Sequence, residues 1–228
     1  MLPGAGRGVS GATSGRRGGL LVVLDADSTL IREEAIELLA ESAGSLEHVA
    51  AVTERAMRGE LDFAASLRER VATLEGLDAE VLVSARERMT PTDGVRELID
   101  GVHAAGGLVG VVSGGFHELL DPLAERLGLD FCRANRLEVD DGRLTGRVDG
   151  PIVDATAKAA ALEEWAADAG VPLSHTVAVG DGANDLLMLD RAALGVAFCA
   201  KPVVRRHADV AIDRPDLSGV LALVGLRG

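Results

Sequence analysis

Residues 20–29 of the chain read Leu-Leu-Val-Val-Leu-Asp-Ala-Asp-Ser-Thr, an apolar run followed by two acids one residue apart. The valine-rich run from Leu20 to Leu24 predicts a strand that is buried on both faces. Strands of that kind belong to parallel sheets, which carry helices on each side. The stretch therefore favours an α/β fold and places Asp25 and Asp27 at the carboxyl end of a strand, where open α/β sheets bind ligands.

The remainder of the chain alternates between helical and strand-like segments, as an α/β fold requires. Helical spacing extends from 33 to 43, and no strand-like run follows before about residue 89. Beyond it we predict helices at 95–105, 116–127, 155–169, 184–191 and 217–224, strands at 108–112, 176–179, 195–198 and 210–212, and a hairpin over 131–148 around Asp141-Gly142. We predict an α/β fold, a Rossmann-like, mostly parallel sheet with helices on both faces and a small helical cap inserted after the first strand.

These segments divide the chain into three predicted parts. Residues 1–19 hold seven glycines and three arginines without an apolar stretch, which is typical of a flexible tail and not of a secretory signal. Residues 20–30 and 90–228 form the α/β core in this interpretation, and residues 31–89 form the cap. An all-helical insertion at that point would cover the carboxyl end of the first strand.

The composition argues against several classes of protein. With 228 residues, 47% of them hydrophobic, the chain can bury the core of one domain plus a small accessory. A formal net charge of -13 and an aromatic content of 2% argue against nucleic acid as a partner. No apolar run approaches the ~20 residues of a membrane helix. Cys132 and Cys199 lie far apart in apolar sequence, so we expect buried free thiols and a cytoplasmic location.

The two acids after the first strand are the first candidates for chemistry. Such a pair is often only a solvated turn or a helix N-cap. A strand end is rigid, however, so Asp25 can be held as an ionised nucleophile. Asp27, if protonated, can then reach the same substrate atom and give the leaving group its proton.

Two glycine-rich loops also follow predicted strands. Ser113-Gly114-Gly115-Phe116 is either a plain strand-to-helix turn with Ser113 as N-cap, or a phosphate cradle of hydroxyl, backbone amides and helix N-terminus. The loop from Gly180 to Asp185 has an acid where a dinucleotide fingerprint has its last glycine, so it would repel a pyrophosphate. Asp181 and Asp185 suit a hard cation such as Mg²⁺, although a simple capping turn has the same composition.

Lys158 is conspicuous because lysine is rare in this chain. Only two of the 23 basic residues are lysines. Lys158 lies near the start of a predicted helix, where a cation opposes the helix dipole, so it is either a surface accident or a point charge for phosphate. A nucleophile with an acid, a phosphate cradle, a lysine and metal-binding acids together indicate phosphoryl transfer through an aspartyl-phosphate.

These four segments, in this order, resemble the motifs of the haloacid dehalogenase superfamily of phosphatases. Within that superfamily the chain is similar to the phosphoserine phosphatase family over about residues 20–224. The closer resemblance depends on Ser28-Thr29, Glu34, Phe63, Arg70, Leu194-Gly195-Val196-Ala197 and Ala200-Lys201-Pro202.

The resemblance implies a role for each matched residue. Asp25 would be the nucleophile, and Asp27 the general acid and then the base for the hydrolytic water. The Mg²⁺ ligands would be Asp25, the backbone carbonyl of Asp27, and Asp181, with Asp185 in support. The phosphoryl group would be bound by Ser113, Gly114, Lys158 and Asn184. The substrate ammonium would pair with Glu34 and its carboxylate with Arg70, while Met57 and Phe63 would line the cap.

We therefore expect a Mg²⁺-dependent hydrolase that releases serine and phosphate from O-phosphoserine, the last step of serine biosynthesis. It would act as a monomer or homodimer, without nucleic acid or membrane partners. One alternative is a phosphotransferase of the same fold that passes the phosphoryl group to an alcohol such as homoserine. Another is a non-catalytic module that binds a phosphorylated ligand. Glu34 and Arg70 could also be ordinary surface charges of helices.

Overall fold

Seven strands form one sheet in the part of the chain that the structure describes, residues 19–58 and 60–226 of a computed structural model. In chain order they are β1 (Leu21–Leu24), β2 (Leu108–Phe116), β3 (Phe131–Asp140), β4 (Arg143–Asp149), β5 (Thr176–Gly180), β6 (Leu194–Phe198) and β7 (Val210–Ile212). Across the sheet the order is β4-β3-β2-β1-β5-β6-β7, and every neighbouring pair is parallel except β3 with β4. The predicted α/β fold is confirmed.

The α-helices of the described residues follow the predicted alternation, apart from one between β6 and β7 that was not predicted. They are α1 (Ala35–Ala43), α2 (Leu46–Met57), α3 (Phe63–Ala72), α4 (Val81–Arg88), α5 (Val95–Ala104), α6 (His117–Leu127), α7 (Ala155–Ala169), α8 (Leu186–Arg191), α9 (Pro202–His207) and α10 (Gly219–Leu223). The first four, called the helical block below, lie between β1 and β2 in the segment predicted to be a cap. The predicted flexible tail lies, except for Gly19, outside the described residues.

Strand β1 occupies the middle of the sheet and is buried on both faces, as its sequence predicts. Val22 and Leu24 belong to one apolar cluster, which includes buried residues of α5 and α6. Leu21 and Val23 belong to a second cluster, which includes Trp165 of α7. Successive side chains of a strand point to opposite faces, so the two clusters show that helices cover both sides of the sheet. The two neighbours of β1 in the sheet are β2, the next strand along the chain, on one side and β5 on the other. The chain connections therefore diverge at β1, and a crevice opens at its carboxyl end.

The turn chemistry of the predicted hairpin is confirmed, but one helix start is not. Asp141 and Gly142 have φ values of 45° and 74°, and a two-residue hairpin turn of type I′ needs positive φ at both positions. Strand β2 extends to Phe116, four residues beyond the predicted end, and α6 begins at His117 with Phe116 as its N-cap. The interpretation of Ser113 as a helix N-cap is therefore wrong, because its backbone is still part of the strand.

The helical block is attached to the core at two places. Where the chain enters and leaves the block, the Arg32 amide donates to the Thr90 carbonyl at 3.0 Å and the Thr92 amide to the Leu30 carbonyl at 2.9 Å. Farther out, the loop 76–79 before α4 is hydrogen-bonded through its backbone to the outer edge of β4. The block therefore lies against the carboxyl ends of the strands and is held from two sides.

The cysteines are free, but only partly as predicted. Cys132 is half-buried, whereas Cys199 is exposed, so the expectation of a buried thiol is wrong for Cys199. Its apolar neighbours belong to the buried strand β6, and Cys199 is the first residue after that strand, turning outward with a φ of 45°. Among the described residues, no helix combines the length and apolarity needed to cross a bilayer.

Candidate active site

A cavity of about 390 Å³ lies between the helical block and the carboxyl ends of β1, β2 and β5. Eight residues predicted from the sequence line it: Asp25, Asp27, Glu34, Phe63, Arg70, Gly114, Asp181 and Asn184. Ser113, Lys158 and Asp185 are fully buried behind the cavity wall, and the side chain of Met57 lies outside the described residues. We call Asp25, Lys158, Asp181 and Asp185 the floor of the cavity, and Glu34, Phe63 and Arg70 its roof.

Asp25 is held rigidly at the end of β1. Its amide donates to the Val179 carbonyl at 2.9 Å, which continues the pairing of β1 with β5. Its carboxylate Oδ1 accepts from the Ala26 amide at 2.7 Å and from Lys158 Nζ at 2.6 Å. Burial and the neighbouring Asp185 raise the pKa of Asp25, and the Lys158 ammonium opposes that rise. No hydrogen bond from the described residues reaches the other oxygen, Oδ2, so it is left for a ligand.

Lys158 connects two acids that come from different loops. It is fully buried, and its Nζ donates to Asp185 Oδ1 at 2.7 Å as well as to Asp25. Burial alone would lower the pKa of Lys158, but the two carboxylates outweigh burial and raise it, so the side chain is an ammonium. The possibility that Lys158 is a surface accident is therefore excluded.

The floor carries more negative than positive charge. Carboxylate oxygens of Asp25, Asp181 and Asp185 lie within 4.8 Å of one another, and Lys158 supplies a single positive charge. Burial raises the pKa of Asp181 to about 6, with a further contribution from the negative charges of Asp185 and Glu34. A donor set made only of oxygens with an excess of negative charge fits a hard divalent cation.

Asp27 has the protonation behaviour that a general acid needs. Its Oδ1 accepts from the Ala35 amide at 2.9 Å, at the start of α1, and this bond fixes the carboxyl group in place. Burial and the charge of Glu34 raise the pKa of Asp27 to about 7. Near neutral pH the group can therefore both give up and take up a proton. The Asp27 side chain is not part of the three-acid cluster.

Glu34, just before α1, is oriented by a residue with unusual backbone geometry. Ser28 has a φ of 57°, a left-handed conformation that is uncommon for a residue with a side chain. In this conformation the Ser28 hydroxyl donates to Glu34 Oε1 at 2.8 Å. The loop that carries Asp25 and Asp27 therefore also positions the first acidic group of the roof.

Arg70 is a partly buried cation in the roof. Among the described residues, its one side-chain hydrogen bond runs from Nε to the Ser66 carbonyl at 3.3 Å. Burial lowers the pKa of Arg70, and the charges of Glu34, Asp27 and Glu37 oppose that effect. Its terminal guanidinium nitrogens are therefore available to an anionic ligand. The alternative that Arg70 is an ordinary surface charge does not agree with its place in the cavity.

Phe63 and Gly114 bring the roof into contact with a loop at the strand ends. A Cβ atom on Gly114 would lie 2.7 Å from Cζ of Phe63, so any side chain there would require the Phe63 ring to move. Behind this contact the Ser113 hydroxyl accepts from the Gly115 amide at 2.7 Å. The predicted phosphate-binding loop thus presents the backbone of Gly114 to the cavity.

Asn135, which was not among the residues predicted from the sequence, connects two loops of the site. This buried side chain donates from Nδ2 to the Gly114 carbonyl at 2.8 Å and accepts at Oδ1 from the Val153 amide at 2.8 Å. The sequence did contain a signal for this role, a polar residue between the apolar residues Ala134 and Leu137. A side-chain amide that is buried in a strand needs hydrogen-bond partners. Other cavity-lining residues that sequence reasoning missed are Ile36, Thr53, Ala56, Leu61, Ser66, Leu67 and Ala155.

Relatives of known function match nearly the whole chain. A phosphoserine phosphatase of Streptomyces coelicolor is 58% identical over 211 residues, which are 92% of this chain and 52% of that relative. A phosphoserine phosphatase of Streptococcus thermophilus is 52% identical over 204 residues, which are 90% of this chain and 95% of that relative. The chain thus spans about half the length of the first relative and nearly all of the second.

Solved structures and a family model give the same result. A phosphoserine phosphatase determined as a phospho-aspartyl intermediate analogue matches with a TM-score of 0.86 and 44% identity, over 91% of this chain and 99% of that one. The model of haloacid dehalogenase-like hydrolases matches residues 22–190, a range that includes the loops of the floor and all but the first residue of β1. The chain therefore belongs to the haloacid dehalogenase-like hydrolases.

Proposed function

We propose that this chain is a Mg²⁺-dependent phosphoserine phosphatase, which hydrolyses O-phosphoserine to serine and phosphate through an aspartyl-phosphate. The observation that carries the proposal is one cavity with a buried Asp–Lys–Asp cluster at its floor and the opposite charges of Glu34 and Arg70 in its roof. The floor suits phosphoryl transfer, and the roof suits a ligand that has both an ammonium and a carboxylate.

In the first half-reaction the Asp25 carboxylate attacks phosphorus. A bond forms between its free oxygen and phosphorus while the bond from phosphorus to the seryl oxygen breaks. Asp27 gives its proton to that oxygen, so serine leaves with a neutral hydroxyl. Lys158 keeps Asp25 in position during the attack.

In the second half-reaction Asp27, now ionised, takes a proton from water. The oxygen of that water attacks phosphorus, the bond from phosphorus to Asp25 breaks, and phosphate leaves with Asp25 again a carboxylate and Asp27 again protonated. Asp25, Asp181 and the backbone carbonyl of Asp27 would hold Mg²⁺, supported by Asp185. When bound, the ion supplies positive charge that offsets the charge of the phosphoryl group.

The remaining predicted residues bind the two ends of the substrate. The amide of Gly114, with Ser113, Lys158 and Asn184, would hold the phosphoryl group in this proposal. Residues 31–89 would act as a cap in which Glu34 pairs with the substrate ammonium and Arg70 with its carboxylate. Closure of such a cap over the cavity would exclude bulk water from the aspartyl-phosphate.

The composition and location of the working enzyme also belong to this proposal. We propose a cytoplasmic monomer or homodimer that binds neither nucleic acid nor a membrane. The formal net charge of -13 and the free cysteines support this assignment.

A substrate panel tests the proposal directly. Phosphate release should be fastest with O-phosphoserine and slower with O-phosphoethanolamine and p-nitrophenyl phosphate, since the latter two lack one or both charged groups. Exhaustive chelation should abolish release, and added Mg²⁺ should restore it. Activity that survives chelation would contradict the mechanism. With homoserine added, release of one phosphate per serine supports hydrolysis, and formation of O-phosphohomoserine would identify a phosphotransferase.

A further inference from the structure

Helix α3 presents one face to the cavity. Phe63, Ser66, Leu67 and Arg70 all line it, and their spacing of three, four and seven residues from Phe63 places them on one side of the helix. Ser66 is thus one turn before Arg70 on the same face. Its backbone carbonyl also accepts the hydrogen bond from Arg70 Nε.

The hydroxyl group of Ser66 is buried and has no hydrogen-bond partner. The residue is 1% exposed, and in the described part of the chain only Thr29 Oγ1 shares this condition. Thr29 does not line the cavity, whereas Ser66 does. A buried hydroxyl without a partner is costly and uncommon, so its persistence at a ligand cavity points to a partner that the ligand supplies.

Other hydroxyls of the helical block show what Ser66 does not do. A serine or threonine inside a helix commonly donates to the carbonyl four residues earlier. Thr53 donates to the Val49 carbonyl at 2.9 Å, and Ser42 lies 3.5 Å from the Leu38 carbonyl. Among the described residues, the Asp62 carbonyl, four residues before Ser66, accepts from the Ser66 amide at 3.0 Å and not from the Ser66 hydroxyl. The donor on Ser66 is therefore uncommitted.

We propose that the Ser66 hydroxyl donates a hydrogen bond to the substrate carboxylate that pairs with Arg70, which makes Ser66 a specificity-determining residue. The assignment rests on the proposed function, because it needs a ligand carboxylate at Arg70. The Ser66 side chain forms part of the cavity wall. Rotation about its Cα–Cβ bond from one staggered position to another turns the hydroxyl toward the ligand. The substrate carboxylate then accepts one hydrogen bond from the neutral Ser66 hydroxyl and another from the cationic Arg70 guanidinium.

Ser66→Ala tests the assignment with two substrates that differ only in the carboxylate. We expect kcat/KM for O-phosphoserine to fall about tenfold or more, as for the loss of a hydrogen bond to a charged group. We expect kcat/KM for O-phosphoethanolamine to stay unchanged. The midpoint of urea unfolding should stay the same or rise, because the substitution breaks no hydrogen bond of the free protein.

Two further variants complete the test. Ser66→Cys keeps the size of the side chain with a weaker donor, so its preference for phosphoserine should lie between those of the wild type and Ser66→Ala. Ser42→Ala, the same change on another helix of the block, should leave the preference unaltered. Equal losses on both substrates, or a lower unfolding midpoint with an unchanged preference, would overturn the role of Ser66. An unmodified enzyme that hydrolyses phosphoethanolamine but not phosphoserine would overturn the proposed function itself.

Discussion

The floor and the roof of the cavity differ in how far their charges are neutralised before any ligand binds. In the floor, the ammonium of Lys158 pairs with Asp25 and Asp185 at 2.6 and 2.7 Å, and all three side chains are buried. In the roof, Glu34 is held by the hydroxyl of Ser28 and Arg70 by a backbone carbonyl, so neither has an opposite charge in direct contact among the described residues. Within the floor, Lys158 already pairs with two of the three acids, and the remaining negative charge is left for a cation, whereas the charges of the roof are paired only when a ligand binds.

Under the proposed function, this difference assigns reactivity to one region and selection to the other. A preorganised floor needs little reorganisation when charge develops in the reaction, so it serves every phosphomonoester alike. A roof whose charges lack protein partners discriminates between ligands that supply those partners and ligands that do not. Variants of the floor should therefore affect all substrates equally, and variants of the roof should change the ratio between substrates.

The largest expected effect is that of Asp25→Asn in the floor. The substitution keeps the shape and the bond from Lys158 but removes the attacking charge. Turnover should fall by several orders of magnitude on phosphoserine and on p-nitrophenyl phosphate alike. Phosphate release and hydroxylamine-sensitive labelling of the protein measure this loss. Asp168→Asn, at an exposed acid of α7, is the matched control, and near-normal turnover by Asp25→Asn would refute its assignment as nucleophile.

Lys158→Met should produce the next largest effect, on stability as well as turnover. It leaves two buried carboxylates without their cation, and breaking a buried ion pair in this way costs about 3–5 kcal/mol of unfolding free energy. Urea unfolding in the absence of divalent cations measures this loss of unfolding free energy. Lys201→Met changes an exposed lysine and should shift the unfolding free energy by less than about 0.5 kcal/mol. A similarly small shift for Lys158→Met would show that the floor does not depend on this pair.

Arg70→Ala should have a smaller effect that depends on the substrate. It removes a charge-assisted pair with the substrate carboxylate, so kcat/KM for phosphoserine should fall by roughly 2–4 kcal/mol in transition-state stabilisation. Part of this loss should be in kcat, because remote binding energy also positions the phosphoryl group. The loss on p-nitrophenyl phosphate should be much smaller. Arg68→Ala, two positions earlier and exposed, should alter neither substrate; equal losses for Arg70→Ala would mean that Arg70 only supports the helical block.

The smallest effect on turnover is expected from alkylation of the cysteines, which lie outside the floor. Burial and Asp121 raise the pKa of Cys132 to about 12, so at pH 8 almost none of it is thiolate. An alkylating reagent should therefore label exposed Cys199 first, faster as the pH rises from 7 to 9, and leave Cys132 unmodified. Mass spectrometry after proteolysis identifies the site. Turnover should change by less than about twofold, because Cys199 does not line the cavity. Loss of activity in proportion to labelling would show that the turn at Cys199 belongs to the active site.

The fold and the floor motifs could be predicted because their signals are local. The apolar run of β1, the Asp141-Gly142 turn and the acids after β1 and β5 are each visible within a few residues. Lys158 attracted attention through its rarity, but its burial could not be predicted. Its two partners lie 133 and 27 residues away in sequence, and their approach depends on the packing of three loops.

The remaining differences also arise from distant contacts. The chain stays extended through Gly114 because Asn135 of β3 binds the Gly114 carbonyl and the pairing of β2 with β3 resumes between Phe116 and Asn135. Glycine has a low strand propensity, so the sequence favoured an earlier end of β2. Ser66 was missed because its significance lies in a hydrogen bond that it does not make, and no sequence pattern reports an absent partner.

The loop before α4 also affects how the sheet meets other molecules. An outermost strand with free backbone groups can recruit a strand from another chain and start aggregation. The Gly76 amide instead donates to the Leu144 carbonyl of β4 and the Ala79 amide to the Gly142 carbonyl in the turn before β4, at 2.8 Å each, and the Leu144 amide donates to the Leu77 carbonyl at 2.9 Å. The opposite edge, β7, is only three residues long. The insertion that carries the roof therefore also shields the sheet from edge-to-edge association.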